Sequence, residues 1–368
     1  MSGERGAPER RMTLTRVGID GRKIPGAAAR GPIGSLEHAA ELGLDGVFFR
    51  TVLDVSPDLD PALLAEVAGR ADELGLYLEA GLGKVNPFAT PETPELRRIG
   101  GGDIVAGFTR MMGACAAVGW RELWVGTANY KSRYRGRFAY DRFRTDVTWG
   151  EQLGATARFL SRLAPVAADL GIHLNIETHE EITSFEVVDL VEAVGPDVAG
   201  IVFDTGNVLQ RLEHPVWAAR RVAPYIRQTH LKDAAVLPTA GGLGYQVRPY
   251  GTGLVDFAAI VAILLDANPG LNLTMENDEP RKPGKAALTM LIEAEHPDFA
   301  PAHPDVSAEE LAAYHQLLCD YQDRIRREGL PDLASWASAQ YGYEECAESI
   351  REGARLLRSL GERTASRR

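Results

Sequence analysis

The most constraining feature of this sequence is a regular alternation of short apolar runs with longer segments of helical periodicity. Eight runs rich in β-branched and aromatic residues have the length and composition of strands. They read TRVGID, DGVFFR, LYLEAG, ELWVGT, IHLNIET, GIVFDTG, IRQTHLKD and LNLTMEND. Alternating strands and helices predict a parallel sheet with crossover helices, and eight repeats are the number that closes a (β/α)8 TIM barrel. A doubly wound open sheet is the alternative fold.

The chain divides into three predicted parts. It has 368 residues, which exceeds the roughly 250 residues of a plain barrel. We expect a flexible tail at residues 1–12, the catalytic barrel at 13–295 and a helical C-terminal extension at 296–368. No ninth strand is evident after the eighth run. An extension of this kind can cover the barrel base, contact a neighbouring subunit or form a lid.

Composition narrows the partners and the compartment. The net charge of -11 argues against general binding to nucleic acid. The three cysteines lack CxxC spacing, which favours a reducing compartment over a disulfide scaffold. No apolar run approaches the roughly 18 residues of a membrane span. We therefore expect a cytoplasmic protein that binds neither nucleic acid nor membrane, and that forms a homo-oligomer or, alternatively, a hetero-oligomer.

Polar side chains follow four successive strands where they end. Alternate residues of a barrel strand face the interior, and barrel enzymes place their chemistry at the C-terminal ends. On this parity the inward residues are Glu177, Asp204, His230 and Glu276. Three carboxylates buried together repel one another unless a cation joins them. The sequence therefore predicts one divalent metal ion. Oxygen-rich ligation favours Mn²⁺, with Mg²⁺, Co²⁺ and Zn²⁺ as alternatives.

Further inward or loop residues are candidates for contact with a substrate. His179 and Lys232 are predicted to be catalytic or to support the metal ligands, and Lys232 or Arg248 to offset surplus negative charge. Arg248, in RPYGTG, and Glu79, in LYLEAG, are predicted to bind substrate oxygens, as is Asn207 after DTG. Taken singly, each also has an ordinary structural explanation as a helix cap, a salt bridge or an interior polar group.

At these residues the chain resembles the xylose isomerase-like barrel superfamily, described as sugar phosphate isomerases and epimerases, which also includes apurinic-site DNA repair nucleases. The resemblance covers roughly residues 13 to 295 and lies in GIHLNIETHEEITSFEVVDLVEAV, GIVFDTGNVL, APYIRQTHLKDA, RPYGTGLVDF and LTMEND. It implies that Glu177, Asp204, His230 and Glu276 hold a single metal. In the ketose epimerase branch the two glutamates also exchange protons with the substrate. Arg248 matches an arginine preceding a turn of that branch, although the turn here reads PYGTG.

These features favour an isomerase or epimerase that acts on a ketose, an oxo-sugar or a related polyol carbonyl through an enediolate. A lyase of the same family is the alternative: a dehydratase, a decarboxylase or a C-glycoside-cleaving subunit acting on an oxo-sugar. The nuclease reading is disfavoured, since Asn207 stands where several relatives carry a histidine. A catalytically silent binding subunit is disfavoured because all four metal ligands are intact.

Overall fold

The computed structural model describes residues 15–89, 93–282 and 284–367. The predicted flexible tail at residues 1–12 lies outside this part of the chain. Strands and helices alternate from Val17 onward. The strands are β1 (Val17–Asp20), β2 (Gly46–Phe49), β3 (Tyr77–Lys84), β4 (Glu122–Gly126), β5 (His173–Glu177), β6 (Ala199–Asp204), β7 (Ile226–His230), β8 (Asp233–Thr239), β9 (Gly242–Arg248), β10 (Leu273–Met275) and β11 (Met290–Ile292). The helices are α1 (Ala27–Glu41), α2 (Val52–Val55), α3 (Pro61–Leu74), α4 (Pro94–Ile99), α5 (Ile104–Ala117), α6 (Trp149–Leu170), α7 (Ser184–Val194), α8 (Pro215–Val222), α9 (Phe257–Ala267), α10 (Ala308–Glu328), α11 (Leu333–Ser338) and α12 (Tyr343–Ala365).

Eight parallel strands form the barrel. Their order is β10-β1-β2-β3-β4-β5-β6-β7. The ring is completed between its outer strands, where the Leu231 amide donates to the Thr274 carbonyl at 2.8 Å and the Glu276 amide donates to the Leu231 carbonyl at 2.7 Å. Each barrel strand coincides with one of the eight predicted runs, although β3 extends past its run to Lys84 and β6 begins one residue before its run, at Ala199. The (β/α)8 prediction is therefore confirmed, and the open doubly wound sheet is excluded.

Local signals explain where several helices begin and end. α6 and α7 each begin with a capping box, in which a threonine and the glutamate three residues later satisfy each other's backbone amides. α3 and α6 end at Gly75 and Gly171, whose φ angles of 70° and 62° are left-handed. Glycine adopts this conformation without the steric cost that a Cβ atom imposes. α6 and α7 are the crossover helices on either side of β5, so these caps fix where the chain turns between neighbouring parallel strands.

A small antiparallel sheet of order β11-β9-β8 lies beside the barrel. Its hairpin, β8 and β9, follows β7 directly, and β11 comes from residues beyond the eighth barrel strand. The prediction that no strand follows the eighth run is therefore wrong. Its cause is physical: β11 has only three residues and is held as a strand by pairing with Leu243–Tyr245, which is distant in sequence. A local pattern cannot reveal such pairing.

The last helix completes the barrel wall. α12 contacts α9, β1 and β10, so it occupies the place of the eighth barrel helix. Arg358 on this helix pairs with Asp45 at 2.8 Å, just before β2. A Cβ atom on Gly361 would lie 2.1 Å from Thr15 Oγ1, so the close approach of α12 to the start of β1 requires glycine. The boundary predicted at residue 295 thus separates α12 from the strands on which it packs.

The RPYGTG segment is held by a single buried carboxylate. Asp233 Oδ2 accepts hydrogen bonds from the amides of Gly251 and Gly253 at 2.9 and 2.8 Å. Its Oδ1 accepts from Ala234 at 2.9 Å and Val255 at 3.2 Å. Because buried amides without acceptors are costly, this carboxylate fixes the turn after β9.

We expect Asp233→Asn to lower the free energy of unfolding by about 2 kcal/mol, because an NH₂ group replaces one acceptor oxygen and leaves amides unpaired. Urea denaturation followed by circular dichroism measures the loss. Asp256→Asn is the matched control, since Asp256 is an exposed helix cap accepting from Ala259, and Asn caps helices as well as Asp does. Equal stabilities of the two variants would contradict this role for Asp233.

None of the helices in the described part of the chain is long and apolar enough to cross a membrane.

Candidate metal site

The four predicted metal ligands lie together at the C-terminal mouth of the barrel. Glu177, Asp204 and His230 are the last residues of β5, β6 and β7, and Glu276 directly follows β10. All four are buried. One possible ligand atom from each lies within 4.8 Å of those from the others. The barrel register therefore converges three carboxylates and one imidazole on a single point.

Glu177 is fixed on both of its oxygens. Trp124 Nε1, from the interior of β4, donates to Oε2 at 2.8 Å. His230 Nδ1 lies 2.8 Å from Oε1. The ring of Phe48 packs against the His230 imidazole with 4.6 Å between centroids, which limits rotation of the imidazole. Burial alone would raise the pKa of Glu177, but His230 and His179 lower it, so this carboxylate is ionised.

Asp204 leaves one oxygen available. Its Oδ1 accepts hydrogen bonds from the amides of Gly206 and Asn207, each at 2.9 Å. Its Oδ2 is buried and accepts no hydrogen bond within the part of the chain that the structure describes, although Lys232 Nζ lies 3.0 Å away as an ion-pair partner. Burial raises the pKa of Asp204, and the carboxylates of Glu276 and Glu177 raise it further. An unsatisfied oxygen among converging carboxylates fits a metal ligand, because a cation would satisfy it and reduce the repulsion.

Cations surround Glu276. Arg50 NH2 lies 3.2 Å from its Oε1 and also 2.9 Å from Asp20 Oδ2. Lys232 Nζ lies 3.4 Å from the same Oε1. Burial would raise the pKa of Glu276, but Lys232, Arg50 and Lys23 hold it well below its ordinary value. Lys232, which was predicted to offset surplus negative charge, thus lies beside Glu276 and Asp204, and Arg50 also lies beside Glu276.

His179 lies next to the four ligands. Its Nδ1 lies 2.7 Å from Glu180 Oε2 and 2.9 Å from Glu181 Oε2, and its Nε2 lies 3.9 Å from Glu177 Oε2. Burial would lower the pKa of His179, but these carboxylates raise it to about 10. With two carboxylate oxygens beside it, Nδ1 of His179 is a hydrogen-bond donor at the edge of the site. Asn207 is also close, with its Oδ1 3.4 Å from Lys232 Nζ.

Two predicted substrate-binding residues lie elsewhere. Arg248 is buried on β9, where it donates to Gln246 and to the backbone carbonyls of Pro331 and Asp332, and its guanidinium lies over the Trp336 ring. The unpredicted hairpin carries Arg248 to the segment between α10 and α11, where it anchors that segment instead of reaching the ligands. The positions of its partners give no support to the substrate role.

Glu79 points toward the N-terminal end of the barrel. It accepts hydrogen bonds from Asn272 Nδ2 at 3.0 Å and Thr274 Oγ1 at 2.8 Å. It also lines a cavity of about 420 Å³ with residues that precede β4 and β10, among them Arg121 and Asn268. Glu79 faces the barrel interior, as its place in the strand alternation predicts. It lies toward the N-terminal end of the barrel, away from the candidate metal site at the C-terminal end.

The prediction did not single out Arg50 or Trp124, although both contact ligands. The alternation of inward and outward residues along β2 could have identified Arg50. Arg50 follows Phe48 by two residues, and Phe48 packs with Trp124 and Val202 in a small interior cluster. A basic residue with that parity at a strand end faces the same mouth as the ligands.

Comparison with known proteins agrees with the barrel. The sequence model of the family described as the xylose isomerase-like TIM barrel matches residues 36–294. The crystal structure of D-psicose 3-epimerase in the presence of D-fructose superposes with a TM-score of 0.55 at 20% identity, covering 85% of this chain and 99% of that chain. This likeness establishes the fold.

Two curated proteins match shorter stretches. The uncharacterized protein YihM of Escherichia coli (strain K12) is 36% identical over 97 residues, which are 26% of this chain and 30% of that protein. The 3-oxo-isoapionate decarboxylase of Pectobacterium atrosepticum is 28% identical over 115 residues, which are 31% of this chain and 42% of that protein. The matches therefore span less than half the length of either relative.

Proposed function

This chain belongs to the xylose isomerase-like TIM barrel family, and from that premise we propose that it is a divalent-metal-dependent isomerase or epimerase. Its substrate is a ketose, an oxo-sugar or a related polyol carbonyl. The observation that carries the proposal is the convergence of three carboxylates and one imidazole within 4.8 Å at the barrel mouth. Sugar epimerases share the fold and an oxo-sugar decarboxylase is a sequence relative, which supports carbohydrate as the substrate class.

Glu177, Asp204, His230 and Glu276 would hold the metal. The strongest sign that they fit one is the buried Oδ2 of Asp204, which is ion-paired with Lys232 but accepts no hydrogen bond among the described residues. We propose Mn²⁺, because three oxygen ligands and one nitrogen ligand suit a hard to intermediate cation, with Mg²⁺, Co²⁺ and Zn²⁺ as alternatives. When bound, a divalent cation polarises a substrate carbonyl oxygen and so acidifies the neighbouring C–H bond.

Glu177 and Glu276 are the proposed proton acceptor and donor. They belong to strands separated by β6 and β7 in the ring, so they approach the site from different directions. Each has a pKa held below its ordinary value by neighbouring cations, so each starts as a carboxylate able to accept a proton. One carboxylate would remove the carbon-bound proton. Inversion of the carbon centre then requires the other carboxylate to take up a proton from solvent and deliver it to the opposite face, whereas return of the first proton to the neighbouring carbon would move the carbonyl along the chain.

His179 and Lys232 are the proposed groups that orient substrate oxygens. Both are buried cations next to the ligands, and both can donate hydrogen bonds to hydroxyl or carbonyl oxygens. Fixed donors of this kind stabilise negative charge that develops on oxygen when a proton leaves carbon. Asn207, within reach of Lys232, is proposed to bind a further hydroxyl.

The second candidate function is that of a lyase, which would use the same site. The oxo-sugar decarboxylase among the relatives favours it. Loss of water, carbon dioxide or an aglycone next to a carbonyl passes through the same kind of enediolate as epimerisation, so the same donors would serve both reactions.

Solvent deuterium separates the two candidates. We expect that, with Mn²⁺ and ketoses or 3-oxo-glycosides in deuterated buffer, the proton on the carbon next to the carbonyl exchanges during turnover and no second molecule forms. Proton NMR measures both the exchange and the products. Glu276→Gln, assayed at saturating Mn²⁺, should slow exchange by about 100-fold, since a positioned base contributes that much.

Glu192→Gln is the control for this variant, because Glu192 is an exposed carboxylate on α7 that accepts a hydrogen bond from Tyr225. Stoichiometric release of a second, smaller product would reject the isomerase in favour of the lyase. If the Glu276→Gln variant exchanged the proton at the same rate as wild type, Glu276 would not be a catalytic base in either the isomerase or the lyase reaction.

A further inference from the structure

Lys84 is a buried cation at the barrel mouth that the proposed chemistry does not use. It is the last residue of β3 and is 4% exposed. Its Nζ lies 5.1 Å from the centroid of the Trp124 ring, whose Nε1 holds Glu177. The electrostatic neighbours of Lys84 include Glu181, Glu177 and Arg50. Lys84 therefore faces the interior from the side of the barrel opposite β7.

This ammonium group lacks an ion-pair partner. In the described residues, no carboxylate oxygen lies within 4.0 Å of Lys84 Nζ, whereas Lys232 Nζ lies 3.0 Å from Asp204 and Lys23 Nζ lies 2.9 Å from Glu279. Burial lowers the pKa of Lys84, against the opposing effect of Glu181. A buried charge without an ion pair costs stability, and the Trp124 ring and the more distant Glu181 offset only part of that cost.

The surrounding structure leaves room for this cation. A Cβ atom on Gly126, the residue paired with Lys84 in register, would lie 2.8 Å from Nζ. Directly after the neighbouring strand β2, Arg50 has a buried Nε that donates no hydrogen bond to any of the described residues. Two basic side chains at the ends of β2 and β3 thus each have a donor without an acceptor. Both observations indicate a missing anionic acceptor on this side of the mouth.

We propose that Lys84 binds a carboxylate group of the substrate, so that the substrate of this site is an oxo-sugar acid. This inference rests on the proposed function, in which the substrate carbonyl lies beside Glu177, Asp204, His230 and Glu276. A carboxylate directed toward β3 would give Lys84 the ion pair that it lacks. A neutral hydroxymethyl group would leave the ammonium unpaired, so the site discriminates between an acid and the matching ketose.

The test is a matched pair of probes, 2-oxo-D-gluconate and D-fructose, which differ at C1 by a carboxylate against a hydroxymethyl group. Calorimetry on the Mn²⁺-loaded protein measures the binding of each. We expect wild type to prefer the acid and Lys84→Met to weaken acid binding by about 10- to 100-fold, the worth of a hydrogen bond to a charged group. D-Fructose binding should change by less than about threefold.

Lys84→Met should also raise the unfolding midpoint of the ligand-free protein, because it removes an unpaired buried charge and keeps the apolar stem. Lys285→Gln, at an exposed lysine, makes a similar charge change away from the barrel and should alter neither binding nor stability. A lower midpoint with equal loss of both probes would make Lys84 a packing residue and overturn the proposal.

Failure of this inference is distinguishable from failure of the proposed function. Equal affinity of wild type for the acid and the ketose would overturn the carboxylate site and leave the carbonyl chemistry standing. Absence of binding for both probes, with Mn²⁺ bound, would overturn the two together.

Discussion

The double substitution Glu177→Gln, Asp204→Asn is expected to weaken Mn²⁺ binding by on the order of a thousandfold, because affinity for hard cations depends on the number of charged ligands. Wild type should bind one Mn²⁺ per chain, released by a chelator. Titration calorimetry measures both values. Since Glu177 also contacts His230 at 2.8 Å, the variant should lose turnover on any substrate found for wild type.

The control for charge is Glu192→Gln, Asp197→Asn, which makes the same two substitutions at exposed positions in and after α7. It should bind Mn²⁺ as wild type does. Far-UV circular dichroism should show that both double variants are folded, because reducing carboxylate repulsion at the mouth does not open the barrel. Equal Mn²⁺ affinity in wild type and the Glu177, Asp204 variant would reject the metal site.

Replacing Arg142 by Met should lower the free energy of unfolding by about 3 to 5 kcal/mol, the cost of removing one partner of a buried ion pair. Arg142 holds the loop after β4 to two distant elements. Its guanidinium lies 2.7 and 3.0 Å from the two oxygens of Glu186 on α7, and donates at 3.1 Å to the Glu181 carbonyl and at 2.9 Å to the Ala302 carbonyl. Met keeps the apolar stem and removes only the donors.

Urea denaturation measures this loss, and Arg162→Met on the exposed face of α6 is the control, expected to change stability by less than about 0.5 kcal/mol. Adding Glu186→Gln to Arg142→Met should recover part of the loss, since the unpaired buried charge is then absent. A loss for Arg142→Met no larger than that of the control would show that the pair contributes nothing measurable.

The convergence of the four candidate metal ligands was predictable because strand parity is a local property. In β5 the alternation of Leu174 and Ile176 with Glu177 is visible within five residues, and the parallel register then aligns the strand ends. No partner needs to be known for that inference. The same reasoning extends to His230 and Glu276, so the four ligands follow from the fold once the eight runs are recognised.

The remaining features depend on contacts distant in sequence. β11 forms a strand only because it pairs with β9. Arg248 was expected at the barrel mouth because the sequence did not predict the β8–β9 hairpin, which carries Arg248 to the segment before α11. The lack of an ion-pair partner for Lys84 among the described residues could not be predicted either. A sequence shows which cations are present but not which carboxylates lie within 4.0 Å of them. Long-range pairing decides each of these outcomes.

The position of α12 has a consequence for biosynthesis. The helix that fills the wall between α9 and β1 is separated from the eighth barrel strand by residues 276–342. During translation the eight barrel strands are synthesised before α12, the helix that packs on β1 and β10. Until α12 is synthesised, the nascent barrel exposes the apolar surface that this helix covers. We therefore expect a chain that stops before residue 343 to expose this apolar wall and to aggregate more readily than the full chain.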